Sequence, residues 1–217
     1  MTEPDLIIFD CDGVLVDSEV LSCRCLSQVL AGYGIDLGVD QAIDLFLGRS
    51  VTAVLDHYEA LGRSIPERFA TELKTEVRAA FLSSLGSIEG VNSVLAGLQI
   101  PHCVASSSDV DRVSLSLSLT GLAPYFEQLF TSQMVKRGKP APDLFLYAAE
   151  RMQADPRRTL VIEDSRSGVT AGKAAGMMVW GFVGGSHYRS RDGEAMLHQA
   201  GADRVFGRMA DFWRTDR

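Results

Sequence analysis

Hydrophobic and polar positions along the 217-residue chain fall into two distinct patterns. Residues 5–10, Asp-Leu-Ile-Ile-Phe-Asp, form a short apolar run without polar alternation, bounded by Pro4 and Gly13. Such a run predicts a strand covered on both faces, as in a parallel sheet. Comparable runs at 102–105, 159–162 and 178–183, and a weaker one at 128–131, predict further strands. Between them, 111–119, 142–152 and 167–175 have helix-forming composition. Asp109, Asp143 and Ser165 or Ser167 lie near their starts, and Gly121 and Gly176 follow two of their ends. Strand alternating with helix predicts an α/β fold with a doubly wound, mostly parallel, Rossmann-like sheet.

Residues 15–86 depart from this rhythm, with three or four helical patterns and no comparable strand. Leu26, Val29, Leu30 and Tyr33 form one apolar stripe; Phe69, Leu73, Val77, Ala80 and Phe81 form another. The expected organisation is a catalytic core of residues 1–14 and 87–217, interrupted by a helical cap at 15–86. The sheet is expected to resume near Ile88-Glu89-Gly90. A module inserted directly after the first strand belongs over the carboxyl edge of the sheet, where open α/β folds bind ligands.

Composition narrows the function classes. Hydrophobic residues make up 46% of the chain, enough for a real core and too many for disorder. The charge balance of 21 Lys and Arg against 28 Asp and Glu gives −7, which argues against a partner such as nucleic acid or an anionic membrane. No apolar run approaches the roughly 18 residues of a membrane-spanning helix, and Met-Thr-Glu-Pro-Asp lacks a basic leader segment. The expectation is a cytoplasmic monomer that acts on a small molecule. Cys11, Cys23, Cys25 and Cys103 lack zinc-ligand spacing and read as plain thiols.

The candidate chemistry lies where each buried run ends. The first delivers Asp10-Cys11-Asp12-Gly13, the next Ser106-Ser107-Ser108, and a later one Glu163-Asp164-Ser165. Carboxylates and hydroxyls therefore converge on one edge and call for a cation. Oxygen donors with an open face suit Mg²⁺, which is held by one or two carboxylates together with water and substrate phosphate. Lys139, in Arg137-Gly138-Lys139-Pro140, supplies the balancing protein cation. Paired aspartates, Mg²⁺ and a lysine suit phosphoryl transfer, where catalysis is mostly positioning and charge neutralisation.

These stretches, together with Val14-Leu15-Val16-Asp17-Ser18-Glu19 and Gly138-Lys139-Pro140-Ala141-Pro142-Asp143, resemble in order the four motifs of the haloacid dehalogenase-like superfamily. The resemblance covers nearly the whole chain and is nearest to the branch with a helical cap, home of sugar-phosphate phosphatases and β-phosphoglucomutase. It implies that Asp10 attacks phosphorus to form an aspartyl-phosphate, and that Asp12 is the general acid and base. It places Mg²⁺ on Asp10, the main-chain carbonyl of Asp12 and Asp164, with Glu163 as a direct or water-mediated ligand. Ser106 and Lys139 hold the phosphoryl oxygens, with Ser107 and Gly13 beside them.

The substrate is expected to be a small phosphate monoester, a sugar or sugar-acid phosphate, with Arg49 of Phe46-Leu47-Gly48-Arg49-Ser50 contacting it from the cap. His187, in Gly184-Gly185-Ser186-His187, reads as a rim or loop residue. A mutase of the β-phosphoglucomutase kind carries a histidine soon after the first motif, whereas this chain has Leu21-Ser22-Cys23 there. That departure favours hydrolysis. A haloacid dehalogenase has no use for Asp12. A non-catalytic sugar-phosphate-binding protein is the alternative from another class.

Overall fold

The computed structural model describes residues 3–189 and 191–213. The chain forms two compact units, one of Met1–Asp17 with Gly86–Arg217 and one of Ser18–Leu85. In chain order, strand β1 (Leu6–Phe9) is followed by helices α1 (Glu19–Gly32), α2 (Val39–Phe46), α3 (Val51–Ala60) and α4 (Arg68–Ser84). Then come α5 (Val91–Gly97), β2 (His102–Ser106), α6 (Val110–Leu119), β3 (Leu129–Thr131), α7 (Asp143–Arg151) and β4 (Thr159–Glu163). The chain closes with α8 (Arg166–Ala174), β5 (Met178–Phe182), α9 (Gly193–Ala200) and β6 (Arg204–Phe206).

The larger unit is built on one parallel sheet of order β3-β2-β1-β4-β5-β6. The apolar runs are strands because both of their faces are covered, so alternation would leave polar side chains buried. Leu6 and Ile8 point into a cluster with Leu144, Phe145, Val169 and Leu197 of α7, α8 and α9. On the opposite face Phe9 meets the rings of Phe126 and Phe212, and Phe212 in turn packs against Trp180. In this strand order the chain runs outward in opposite directions from β1 and β4, and the crevice between such strands is where open α/β sheets hold ligands.

The sheet does not resume at residues 88–90 as expected. Ser87 makes an isolated bridge to Val16, Gly90 turns the chain with φ of 82°, and α5 follows, so pairing returns only at His102. The two apolar residues near Gly90 serve a helix entry rather than a strand. Val14, Leu15 and Val16 are fully buried in the larger unit, where Ile88 donates its N–H to Leu15 and Asp17 donates its N–H to Gly86. That pairing holds side by side the two places where the chain leaves and re-enters the unit.

The smaller unit is all helical. Leu26 and Leu30 of α1 and Phe69, Leu73, Val77 and Phe81 of α4 share one apolar cluster with Ile43, Phe46, Val54 and Tyr58. The two stripes are the inward faces of these helices, as residues spaced three and four apart must be.

Candidate active site

Four chain segments meet at the carboxyl edge around Lys139. Its ammonium donates to Asp10 Oδ1 at 2.6 Å, to Glu163 Oε1 at 2.7 Å and to the main-chain oxygen of Ala105 at 2.9 Å. The side chain is 2% exposed. An ammonium has three protons, and here all three have acceptors. Burial alone disfavours the charged form, but Asp10 and Glu163 outweigh it and hold Lys139 above the ordinary lysine range. Arg137 grips Asp143 with two hydrogen bonds, 3.1 and 2.7 Å, across the loop that carries Lys139.

Four buried carboxylates, Asp10, Asp12, Glu163 and Asp164, outnumber the one buried ammonium and leave surplus negative charge. Burial, the largest influence, pushes the Asp10 carboxyl well above its usual range; Lys139 opposes this, while Glu163, Asp164 and Asp12 add to it. Asp164 is raised well above its ordinary value too, first by burial and then by Glu163, with Lys139 again opposing. A divalent cation would remove both penalties.

The donor set fits such a cation. Asp164 is buried and its Oδ2 accepts no hydrogen bond, so the carboxylate carries a charge that a cation would offset. Among the described residues no group of three or more His, Cys, Asp and Glu side chains forms a ready-made cage. Mg²⁺ needs none, since it binds through one or two carboxylates and completes its shell with water and substrate phosphate. Asp10, Asp164 and the carbonyl of Asp12 make such a set. Glu163 is already occupied: Oε1 takes Lys139, and Oε2 takes the N–H and hydroxyl of Ser165 at 2.8 and 2.9 Å. Its place in the structure is to fix Lys139 and the start of α8. Gly168 admits it, because a Cβ there would lie 1.7 Å from Glu163 Oε1.

Gly13 has φ of 79°, and a Cβ at this position would lie 1.9 Å from Asp164 Oδ2. The glycine is therefore required by backbone conformation and by a neighbouring carboxylate. Ser106 is buried at the end of β2, and its hydroxyl accepts the N–H of Ser108 at 3.0 Å. Ser107 is exposed, and its carbonyl accepts from the Ser132 hydroxyl at 2.8 Å.

Asp12 brings in two residues that sequence reasoning left without a role. Arg112 Nη2 donates to its Oδ1 at 2.8 Å, and the Ser108 hydroxyl donates to its Oδ2 at 2.6 Å. Arg112 comes from the first turn of α6, whose N-cap Asp109 accepts the Arg112 N–H at 2.8 Å. Lys139 is thus not the sole protein cation at this edge. The sequence signal was an arginine three residues after a capping aspartate, directly following a strand-end serine cluster.

His187 is not at the rim. It is 1% exposed, with Nε2 3.1 Å from Asp164 Oδ2, within ion-pair distance but off the line of a hydrogen bond. Arg49 lies in the other unit, exposed at the turn between α2 and α3 after Gly48, whose φ is 66°. It takes no part in the hydrogen bonds described above.

A haloacid dehalogenase-like hydrolase model matches residues 7–182, most of the chain and every strand that reaches this edge except β6. The chain belongs to the haloacid dehalogenase-like hydrolases. Among its relatives is a 6-phosphogluconate phosphatase of Escherichia coli (strain K12), 30% identical over 193 residues and 86% of each chain. Among solved structures, a conserved haloacid dehalogenase-like protein of unknown function from Agrobacterium tumefaciens str. C58 is 35% identical. It superposes with a TM-score of 0.84 over 96% of this chain and 95% of its own. A family hydrolase from Deinococcus radiodurans R1, determined with bound phosphate and sodium, is 34% identical, with a TM-score of 0.79 over 98% and 94%. No helix among the described residues is long and apolar enough to cross a membrane.

Proposed function

We propose that this chain is a Mg²⁺-dependent phosphatase that hydrolyses a small phosphate monoester, a sugar or sugar-acid phosphate, through an aspartyl-phosphate on Asp10. The observation that carries the reading is the Lys139 centre, one fully engaged ammonium holding the carboxylate that would attack. Names of relatives support the substrate class, the 6-phosphogluconate phosphatase among them. The neighbour determined with bound phosphate supports an oxyanion site in this fold.

In this reading Asp10 attacks phosphorus, and the bond to the sugar oxygen breaks as Asp12 gives that oxygen a proton. Water then attacks the phosphorus of the aspartyl-phosphate and gives its proton to Asp12. Asp10 is regenerated and phosphate leaves. Ser106 holds one phosphoryl oxygen, Lys139 exchanges one of its three present acceptors for another phosphoryl oxygen, and Glu163 keeps Lys139 in place. Asp10, Asp164 and the Asp12 carbonyl would hold Mg²⁺, which when bound would supply charge neutralisation at the transferring phosphoryl group. The helical unit, with Arg49, supplies the substrate-selecting surface. A cytoplasmic monomer remains the proposed state.

Phosphate release should require Mg²⁺, stop with EDTA and return when Mg²⁺ is added. A panel of phosphorylated metabolites ranked by kcat/KM should place sugar or sugar-acid phosphates first. Full activity in EDTA, or a nucleotide ahead of every sugar phosphate, contradicts the reading.

A further inference from the structure

The segment after β5 is tied to the edge at three points. Ser186 donates its N–H and hydroxyl to Asp17 Oδ1 at 3.0 and 2.7 Å. Tyr188 donates its hydroxyl to the main-chain oxygen of Asp164. Between them, the ring of His187 is buried with Nε2 3.1 Å from Asp164 Oδ2, and it packs against Tyr188 with ring centroids 4.2 Å apart. Gly185 makes room for this ring: a Cβ there would lie 2.6 Å from His187 Cε1 and 3.2 Å from the Gly13 oxygen. The backbone of Gly185 is ordinary, with φ of −66°, so the need is for space and not for conformation.

We propose that His187 is a positioning residue for the metal: its Nε2–H holds Asp164 Oδ2 and so orients the carboxylate that ligates Mg²⁺. The inference rests on the metal reading given under the proposed function. Its own observation is the clamp formed by Ser186, His187 and Tyr188 on two acidic residues. A group that orients a metal ligand through a hydrogen bond to its second atom changes metal affinity about 10- to 100-fold when removed. The separation is already that of a hydrogen bond; the angle alone differs.

Calorimetric titration of Mg²⁺ into the intact protein tests the proposal, with thermal unfolding as the check on folding. His187→Phe keeps a planar ring but loses the donor, and its Mg²⁺ dissociation constant should rise about 10- to 100-fold. His187→Gln, whose amide reaches the position of Nε2, should restore most of the affinity, and His187→Asn, whose amide stops short, should not. Activity lost by the Phe variant at low Mg²⁺ should return as Mg²⁺ is raised. Should the Phe variant fail to fold, the comparison of Gln with Asn carries the same contrast. Equal Mg²⁺ affinity for wild type and a folded Phe variant, or for Gln and Asn, overturns the positioning role while leaving the metal site intact. A wild-type protein that binds no Mg²⁺ overturns the metal reading and this inference together, which sets that failure apart from the first.

Discussion

Asp12 is where leaving-group chemistry enters the account. A sugar alkoxide is a poor leaving group and needs a proton, whereas an aryl phosphate such as p-nitrophenyl phosphate departs without one. Asp12→Ala leaves the main-chain carbonyl assigned to the metal and removes the side chain that serves as acid in the first step and as base in the second. Transfer of the phosphoryl group to Asp10, read in a single turnover as release of the alcohol or phenol, is therefore expected to slow about 10²- to 10⁴-fold with the best sugar phosphate, with a much smaller loss with the aryl phosphate. Equal losses in that first step with both substrates would assign Asp12 to metal binding or structure. At this scale the acidic edge was legible in the chain, because residues that end parallel strands are forced to one side of the sheet: Asp10, Asp12, Ser106 and Asp164 needed no tertiary knowledge. The partners of Asp12 and Asp164 were not legible. Arg112 arrives from a helix and His187 from a loop, and their reach depends on packing that no spacing rule encodes. Glu163 and Asp164 are adjacent carboxylates that look alike in sequence; in the structure Glu163 takes Lys139 and Ser165, whereas no hydrogen bond reaches Asp164 Oδ2.

Among the elements, α6 shows how a cap can serve a site. Asp109 accepts the Arg112 N–H and so fixes the turn from which Arg112 reaches Asp12. Asp109→Ala should cost about 1 kcal/mol of stability and should also lower turnover on sugar phosphates. Denaturant unfolding and steady-state kinetics on one preparation check both; stability lost with turnover unchanged would detach the cap from the site. The longer strands were legible from unbroken apolar runs, as were the stripes of α1 and α4. Elements at the margins were not: β6 spans only Arg204–Phe206 and begins with a partly exposed arginine, and α5 begins at a left-handed glycine that breaks the local pattern. Short elements carry too few positions for a period to register.

For the molecule as a whole, burial decides the chemistry of the four cysteines. All four are free and buried. Burial pushes the Cys103 thiol up to about 12, and burial, followed by Asp12 and Asp10, raises Cys11 well above the ordinary thiol range. A thiol that stays protonated is a poor nucleophile, so an aromatic disulfide reagent at neutral pH should react slowly with the native protein and rapidly with all four thiols in denaturant. Fast native reaction would place a cysteine in an open, cation-assisted environment. Negative net charge, read from composition as excluding polyanionic partners, is reconciled with an anionic substrate by the local cations: Lys139 and Arg112 sit at an edge that would otherwise repel phosphate.

The claim on which the rest depends is covalent catalysis by Asp10. The direct measurement is intact-protein mass spectrometry of acid-quenched enzyme, caught during turnover of its best sugar phosphate with Mg²⁺. The account requires a mass gain of one phosphoryl group, localised to the peptide that contains Asp10, abolished by EDTA and absent from Asp10→Asn, which should also release no phosphate. Steady turnover by Asp10→Asn, or a phosphoryl group carried on another residue, would contradict it.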